Sequence, residues 1–198
     1  MYSLTGRLNT IAFNTLLVLG VLAGLNYLSC YPFSFLGGYD KRRPLITKPF
    51  EIKEFDSFVK DNYINEDALS FKFDFEADLK PLINWNTNLI FAYILCEYNT
   101  TKSVVNQVTI WDQRIPRSPD SKYVISLKNE FPEYYLTDVN KLLRDQDVTC
   151  YLNWEQMPVA GANYGSRIEI GKFRTPKNYI SNSRRKYAPG PERREYNY

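Results

Sequence analysis

The sequence predicts an all-β sandwich preceded by a single N-terminal transmembrane helix and followed by a disordered basic C-terminal tail. Three observations carry that prediction. An apolar run near the N-terminus holds no charge from residue 8 to residue 39. Several short segments beyond it alternate apolar and polar residues, with the period of two that a half-buried strand requires. At the end of the last such segment, near residue 172, the balance of charge reverses. With 198 residues, the chain has room for one domain once helix and tail are set aside.

The helix comes first. Residues 11–28 read IAFNTLLVLGVLAGLNYL, interrupted only by Asn14, Thr15 and Asn26. About twenty helical residues at roughly 1.5 Å each match a bilayer core of about 30 Å. Residues 11–30 are therefore assigned as a transmembrane signal anchor, and residues 1–10 as a short cytosolic N-terminus. A cleaved signal peptide is the alternative, with Ala23 as a cut site, but cleavage there would sever the apolar run midway. A buried core helix would carry a polar stripe. Gly20 and Gly24 stand one turn apart, where a second membrane helix can approach closely; glycine is also common in membrane helices without that purpose. For orientation, Arg7 and the N-terminus oppose Lys41, Arg42 and Arg43, which lie more than ten residues beyond the helix. Asn99-Thr100-Thr101 is the chain's N-x-S/T triplet, a glycosylation signal that favours a lumenal or extracellular domain.

Strand signals follow. In FKFDFE (residues 71–76) the aromatics fall on one face and the charges on the other. LIFAYILCEY (residues 89–98) is apolar on both faces, as a central strand or a buried helix would be. Between them, DLKPLINWNTN contains Pro81 and several asparagines, which suit a short helical or looped crossing. Residues 104–111 alternate again, with Val104, Val108 and Ile110 on one side and Trp111 on the other. KYVISLK (122–128), DVTCYLNW (147–154) and SRIEIGKF (166–173) complete the set. Six or more short strands between Pro, Asp, Asn and Gly turns predict a sandwich over residues 71–173. Residues 31–70 are left as linker and lead-in, and residues 174–198 as tail.

Residues 31–171 carry 16 Lys and Arg against 20 Asp and Glu, whereas residues 172–198 carry 8 against 2. The tail mixes Pro, Gly, Asn and charge without apolar periodicity, so it cannot bury enough surface to order itself. Its basic and tyrosine residues suit RNA, anionic headgroups or the acidic domain, but no RNA-binding module is recognisable and a nucleic-acid partner is not expected. A solvated terminus is the reading adopted.

The chemistry is mostly defined by what is missing. The chain contains no histidine, which excludes histidine-activated nucleophiles, histidine acid/base work and histidine-ligated zinc. Cys30, Cys96 and Cys150 show no C-x-x-C spacing, so no metal site or cofactor is expected. Cys96 and Cys150 either pair in an oxidising compartment or remain free in their apolar runs. Ser57 with Lys60, and Ser183 with Lys186, satisfy S-x-x-K, but neither sits in the apolar surroundings that would lower a lysine pKa. The carboxylates Glu66 with Asp67, and Asp145 with Asp147, read as solvated loop surface. An enzyme acting alone is not expected.

Against that background, WNTNLIFAYILCEYNTTKSVVNQVTIWDQRI (residues 85–115) closely resembles the signal peptidase complex subunit 3 family. The resemblance extends upstream to FDFEADLKPLINWN (residues 73–86) and downstream to YLNWEQMPVAG (residues 151–161). With the single anchor, it covers roughly residues 7–171. It implies a type II endoplasmic reticulum membrane protein whose lumenal β-sandwich holds no active-site residues and no cofactor. The implied partners are the catalytic signal peptidase subunit, which it stabilises and positions, the other subunits, membrane lipid and, transiently, nascent preproteins. Family members are commonly N-glycosylated, although Asn99 need not occupy the family's own position, and the basic tail departs from the family pattern. A membrane-anchored or secreted adhesin or carbohydrate-binding module is the alternative from another class.

Trp85, Trp111 and Trp154 are the large anchors, for the core or for a partner. Trp154 alternates with Val148, Cys150 and Leu152, which assigns it to the core. Trp111 is out of phase with its neighbours and faces either the other surface or a partner. The Trp111-Asp112 corner is expected to end its strand and to set the loop of residues 113–120 for docking.

Overall fold

A computed structural model of the chain describes residues 3–30, 43–61, 66–159, 161 and 163–180. It opens with one helix, α1 (Leu4–Cys30). Leu16, Leu17, Val18 and Leu19 are all exposed. Four consecutive residues at 3.6 per turn point to every side of a helix, so α1 presents apolar side chains all round rather than on one stripe. Residues Leu4–Asn26 form a stretch long and apolar enough to cross a bilayer. Thr10 and Thr15 spend their hydroxyls on the carbonyls of Gly6 and Ile11, one turn back, at 3.0 and 2.9 Å, which is how a hydroxyl is satisfied without water.

Eight strands follow: β1 (Leu45–Asp61), β2 (Glu66–Asp78), β3 (Thr87–Tyr98), β4 (Asn106–Pro116), β5 (Val124–Glu130), β6 (Leu136–Asp138), β7 (Asp147–Pro158) and β8 (Tyr164–Arg174). They form two antiparallel four-stranded sheets. In the first, β2 pairs with β1 on one side and with β5 and then β6 on the other; the second runs β4-β3-β7-β8. The 3-10 turn Lys80–Leu82 carries the chain between sheets, and Pro81 explains its start. Leu89 to Tyr98 is thus an interior strand, apolar on both faces for that reason.

The core lies between the sheets. From β2 it takes Leu69, Phe71, Phe73, Phe75 and Ala77, and from β3 Ile90, Ala92, Ile94 and Cys96, each side obeying the alternation visible in the sequence. Phe50 of β1 joins them, its ring 5.0 Å from that of Phe73 and 6.2 Å from that of Phe173 on β8. At this crossing Gly171 leaves no room for a side chain, because a Cβ there would lie 2.6 Å from the Phe50 carbonyl oxygen.

Several expectations need correcting. Residues 45–61, assigned to a linker, form the longest strand of the domain. Their pairing with β2 is broken by register shifts at four places, and along it the inward set passes from Ile46, Phe50 and Ile52 to Phe55 and then Phe58, changing parity twice. β6 was not anticipated at all, being too short to show a period. Trp111-Asp112 does not end its strand, which runs on to Pro116. A bulge makes Ile94 pair with Trp111 and Leu95 with Thr109, leaving Ile110 unpaired between them. Ile110 and Trp111 consequently both face inward, at 0% and 4% exposure. Residues 175–180, assigned to the tail, are fastened to the domain: Phe58 and Ile180 exchange backbone hydrogen bonds of 2.9 and 2.8 Å, and Thr175 is buried. The remainder of the tail, including Ser183 and Lys186, lies outside the described residues, as do Lys41 and Arg42.

Candidate functional site

No described side chains converge on a reacting centre, so the features with functional potential are a covalent staple, a buried polar cluster and two surfaces. The staple joins Cys96 and Cys150, which face each other across β3 and β7. Their Cα atoms are 4.1 Å apart and the sulfurs are bonded. The sequence left this pairing open, since apolar runs hold free cysteines equally well; only the register between strands 54 residues apart decides it.

The polar cluster sits at the end of the sandwich where β2 begins. Asp67 is fully buried, not a solvated loop carboxylate, because it continues the inward phase of Leu69 and Phe71. Directly opposite on β6 lies Asp138, also buried. The Tyr98 hydroxyl donates to Asp138 Oδ1 at 3.2 Å, Asp138 Oδ2 accepts the Leu142 N–H at 2.6 Å, and the Tyr179 hydroxyl donates to Asp67 Oδ1 at 2.8 Å. Burial, and then the Asp138 carboxylate, hold the Tyr98 hydroxyl protonated far above the usual tyrosine range. Burial and the Asp67 hydrogen bond shift Tyr179 the same way. These groups close one end of the core and tie down the C-terminal segment. Asp145, by contrast, is paired on the surface with Arg174 at 2.7 Å.

The Trp111-Asp112 pair has a defined structural task. Trp111 fills the core, while Asp112 Oδ1 accepts the Tyr134 hydroxyl at 3.0 Å. The carbonyl of bulged Ile110 accepts the N–H groups of Glu133 and Tyr134 at 2.8 and 3.2 Å. A bulge leaves a backbone group outside the ladder, and here that group anchors the loop between β5 and β6. Trp154 is buried at 2% exposure, its indole nitrogen without a hydrogen-bond partner. Trp85 is different, 52% exposed.

The outer face of the second sheet is the first surface. Leu89, Phe91, Tyr93 and Leu95 of β3 stand on it half-buried, with the Phe91 and Tyr93 rings 5.4 Å apart. Beside them the Arg167 guanidinium lies 4.7 Å above the Tyr151 ring. Partial burial, and then Glu155, raise the Tyr93 pKa. The second surface surrounds the exposed Trp85. Gly20 and Gly24 on α1 have nothing within 4 Å of the position a Cβ would occupy. Asn99 is exposed just past the end of β3, with Thr100 Oγ1 accepting the Ser103 N–H at 3.1 Å. Lys60, of the Ser57–Lys60 spacing, is exposed on β1.

Comparison with known proteins bears on the whole of this arrangement. The signal peptidase subunit family matches residues 1–178. The chain belongs to that family. It is 30% identical over 181 residues to signal peptidase complex subunit 3 of Dictyostelium discoideum, covering 91% of this chain and 98% of that one. It is 43% identical over 103 residues to the protein of that name from Yarrowia lipolytica, covering 51% and 55% of the two chains. With the human protein of that name it shares 33% identity over 90 residues, 45% and 49% of the two. Several of these matches, including those to yeasts, span only about half of the relatives' length. The motifs on which this family was recognisable occupy β2, β3, β4 and β7, which supply most of the core between the sheets.

Proposed function

We propose that the chain is the non-catalytic subunit of the endoplasmic reticulum signal peptidase complex. It is anchored through α1 as a type II membrane protein, with its β-sandwich in the lumen, and it stabilises and positions the catalytic subunit that removes signal peptides from nascent preproteins. The observation that carries this reading is the family match over residues 1–178. The Cys96–Cys150 bond supports a lumenal domain, since such bonds persist in oxidising compartments, and the exposed Asn99 sequon supports it too. The absence of histidine from the chain and the exposure of Lys60 support a non-catalytic role. The adhesin or carbohydrate-binding alternative has no observation in its favour beyond those the family match already accounts for.

In this reading the catalytic subunit docks on the outer face of the second sheet. Half-buried aromatics with an arginine beside them have the composition of an interface core, whereas Trp111 is spent inside the sandwich. Purifying the tagged full-length chain in mild detergent tests both parts. Signal peptidase activity is expected to accompany it and to survive replacement of Ser57 and Lys60 by alanine. Tyr93→Asp is expected to reduce recovery of the catalytic subunit. Cleavage of a preprotein by the purified chain alone would refute the non-catalytic reading.

A further inference from the structure

The chain enters its domain at Leu45, and one end of the sandwich is built around that point. Leu45 pairs with Asp78, and Asp78 with Val124. The crossing from Lys80 to Asn86 lies at the same end, as do the last residues of β4 and β7. Val159 is held there by its N–H bond of 2.8 Å to the Asn86 carbonyl, next in the chain to Trp85. Arg117 donates a backbone hydrogen bond to Asn88 at 2.8 Å, and its guanidinium donates to the Trp85 carbonyl. This end exposes large apolar side chains: Leu45 at 63%, Trp85 at 52%, Val124 at 41% and Val159 at 69%. Around them stand Arg43, Lys80, Arg117 and Lys122, all exposed, which outnumber Asp78 and Asp120.

A tryptophan among aliphatic side chains, ringed by cations, is the composition of a membrane–water interface. The indole prefers headgroup depth, and basic side chains reach lipid phosphates from the same level. The chain itself indicates which surface covers this end. Only fourteen residues separate Cys30 from Leu45, a length that reaches about 50 Å at most when fully drawn out. The opposite end also exposes apolar residues, Val104 and Val105, and carries Asn99. It is removed from Leu45 by the length of β1, which pairs end to end with the 13 residues of β2 and so spans about 43 Å. Bringing that end to the bilayer would need the domain to fold back along a tether drawn out to most of its full length. The end at Leu45 needs no such arrangement.

We propose that the end of the sandwich formed by Leu45, Trp85, Val124 and Val159 seats in the headgroup layer of the bilayer that α1 spans, holding the domain at a fixed tilt and height. The proposal rests on the membrane-anchor reading of α1 and adds a second contact with the same membrane. It gives the domain a rigid standing on the bilayer, which a single helix with a fourteen-residue connection does not supply.

Trp85 is its own reporter, because Trp111 and Trp154 are buried. The full-length chain is reconstituted into vesicles of phosphatidylcholine, either plain or brominated high on the acyl chains near the headgroups. Bromine quenches an indole only on contact, so emission is expected to fall in the brominated vesicles by up to about a third, the share of one of three tryptophans. Trp85→Phe is expected to abolish that fall. Val159→Asp, which leaves Trp85 in place as the probe, is expected to at least halve it. Alkaline carbonate extraction of the same vesicles reads the anchor separately, and a chain released by it would overturn the anchor reading itself. A chain that resists extraction but fluoresces equally in both vesicles, or whose quenching persists in Trp85→Phe, would overturn the seated end and leave the anchor standing.

Discussion

Breaking the Cys96–Cys150 bond is the perturbation whose size can be worked most directly. The bond closes a loop of 54 residues. Loop-closure entropy then removes about 14 cal/mol/K from the denatured chain for a loop of that length, about 4 kcal/mol near 25 °C. For a domain of this size, 4 kcal/mol corresponds to a fall in Tm of about 10–20 °C. The assay is thermal unfolding of the full-length chain in detergent, followed by the strand signal in circular dichroism, with and without prior reduction. Thiol titration of the denatured, unreduced chain is the decisive control. One free thiol per chain, that of Cys30, is expected, and two more only after reduction. Three free thiols in unreduced material, or an unchanged Tm on reduction, would refute the argument.

Three further outcomes follow from the packing and the electrostatics. Gly171→Ala places a methyl group 2.6 Å from the Phe50 carbonyl oxygen. The clash costs about 1–3 kcal/mol and outweighs the gain of at most about 1 kcal/mol from a stiffer unfolded chain, so a lower denaturant midpoint is expected. Tyr98→Phe removes the donor to Asp138 and to the Thr137 carbonyl and is expected to destabilise by about 1–3 kcal/mol. Because burial raises the folded pKa of Tyr98, its contribution is fully present below about pH 10 and declines above it; the difference between wild type and variant is expected to shrink in alkaline unfolding titrations. Asp74 lies opposite the β5 bulge, where it accepts Lys48 Nζ at 2.5 Å and the Asn129 N–H at 2.7 Å. Lys48 first, and Asn129 second, lower its pKa. Its contribution is therefore present above about pH 4 and lost as the pH falls further, so Asp74→Asn is expected to lower Tm at neutral pH and to converge with wild type in acid.

The mixture of these sites shows where local pattern is informative. FKFDFE announced its strand because a period of two needs no knowledge of the partner. The same rule, carried four residues upstream, would have put Asp67 inside, since it shares the parity of Phe71; reading it as a loop carboxylate ignored that phase. β1 resisted the rule for a physical reason. Bulges are defined by the pairing of two strands, and a sequence that shifts register four times shows no sustained period of its own. Trp111 carries the same lesson at one residue, where a single extra position in β4 turned an apparently outward tryptophan into the core.

The sequence by itself determined the long apolar N-terminal helix, the existence and approximate places of six strands, the lack of histidine chemistry and the family. Those are properties of composition, of local periodicity and of ordered motifs, which the chain carries without regard to what lies across the sheet. The tertiary structure alone decided that Cys96 meets Cys150, that Asp67 and Asp138 face each other in the interior, and that Trp85 stays outside while Trp111 and Trp154 go in. Each of these depends on which residues distant strands bring opposite one another, and register between strands is set by the packing of the whole core.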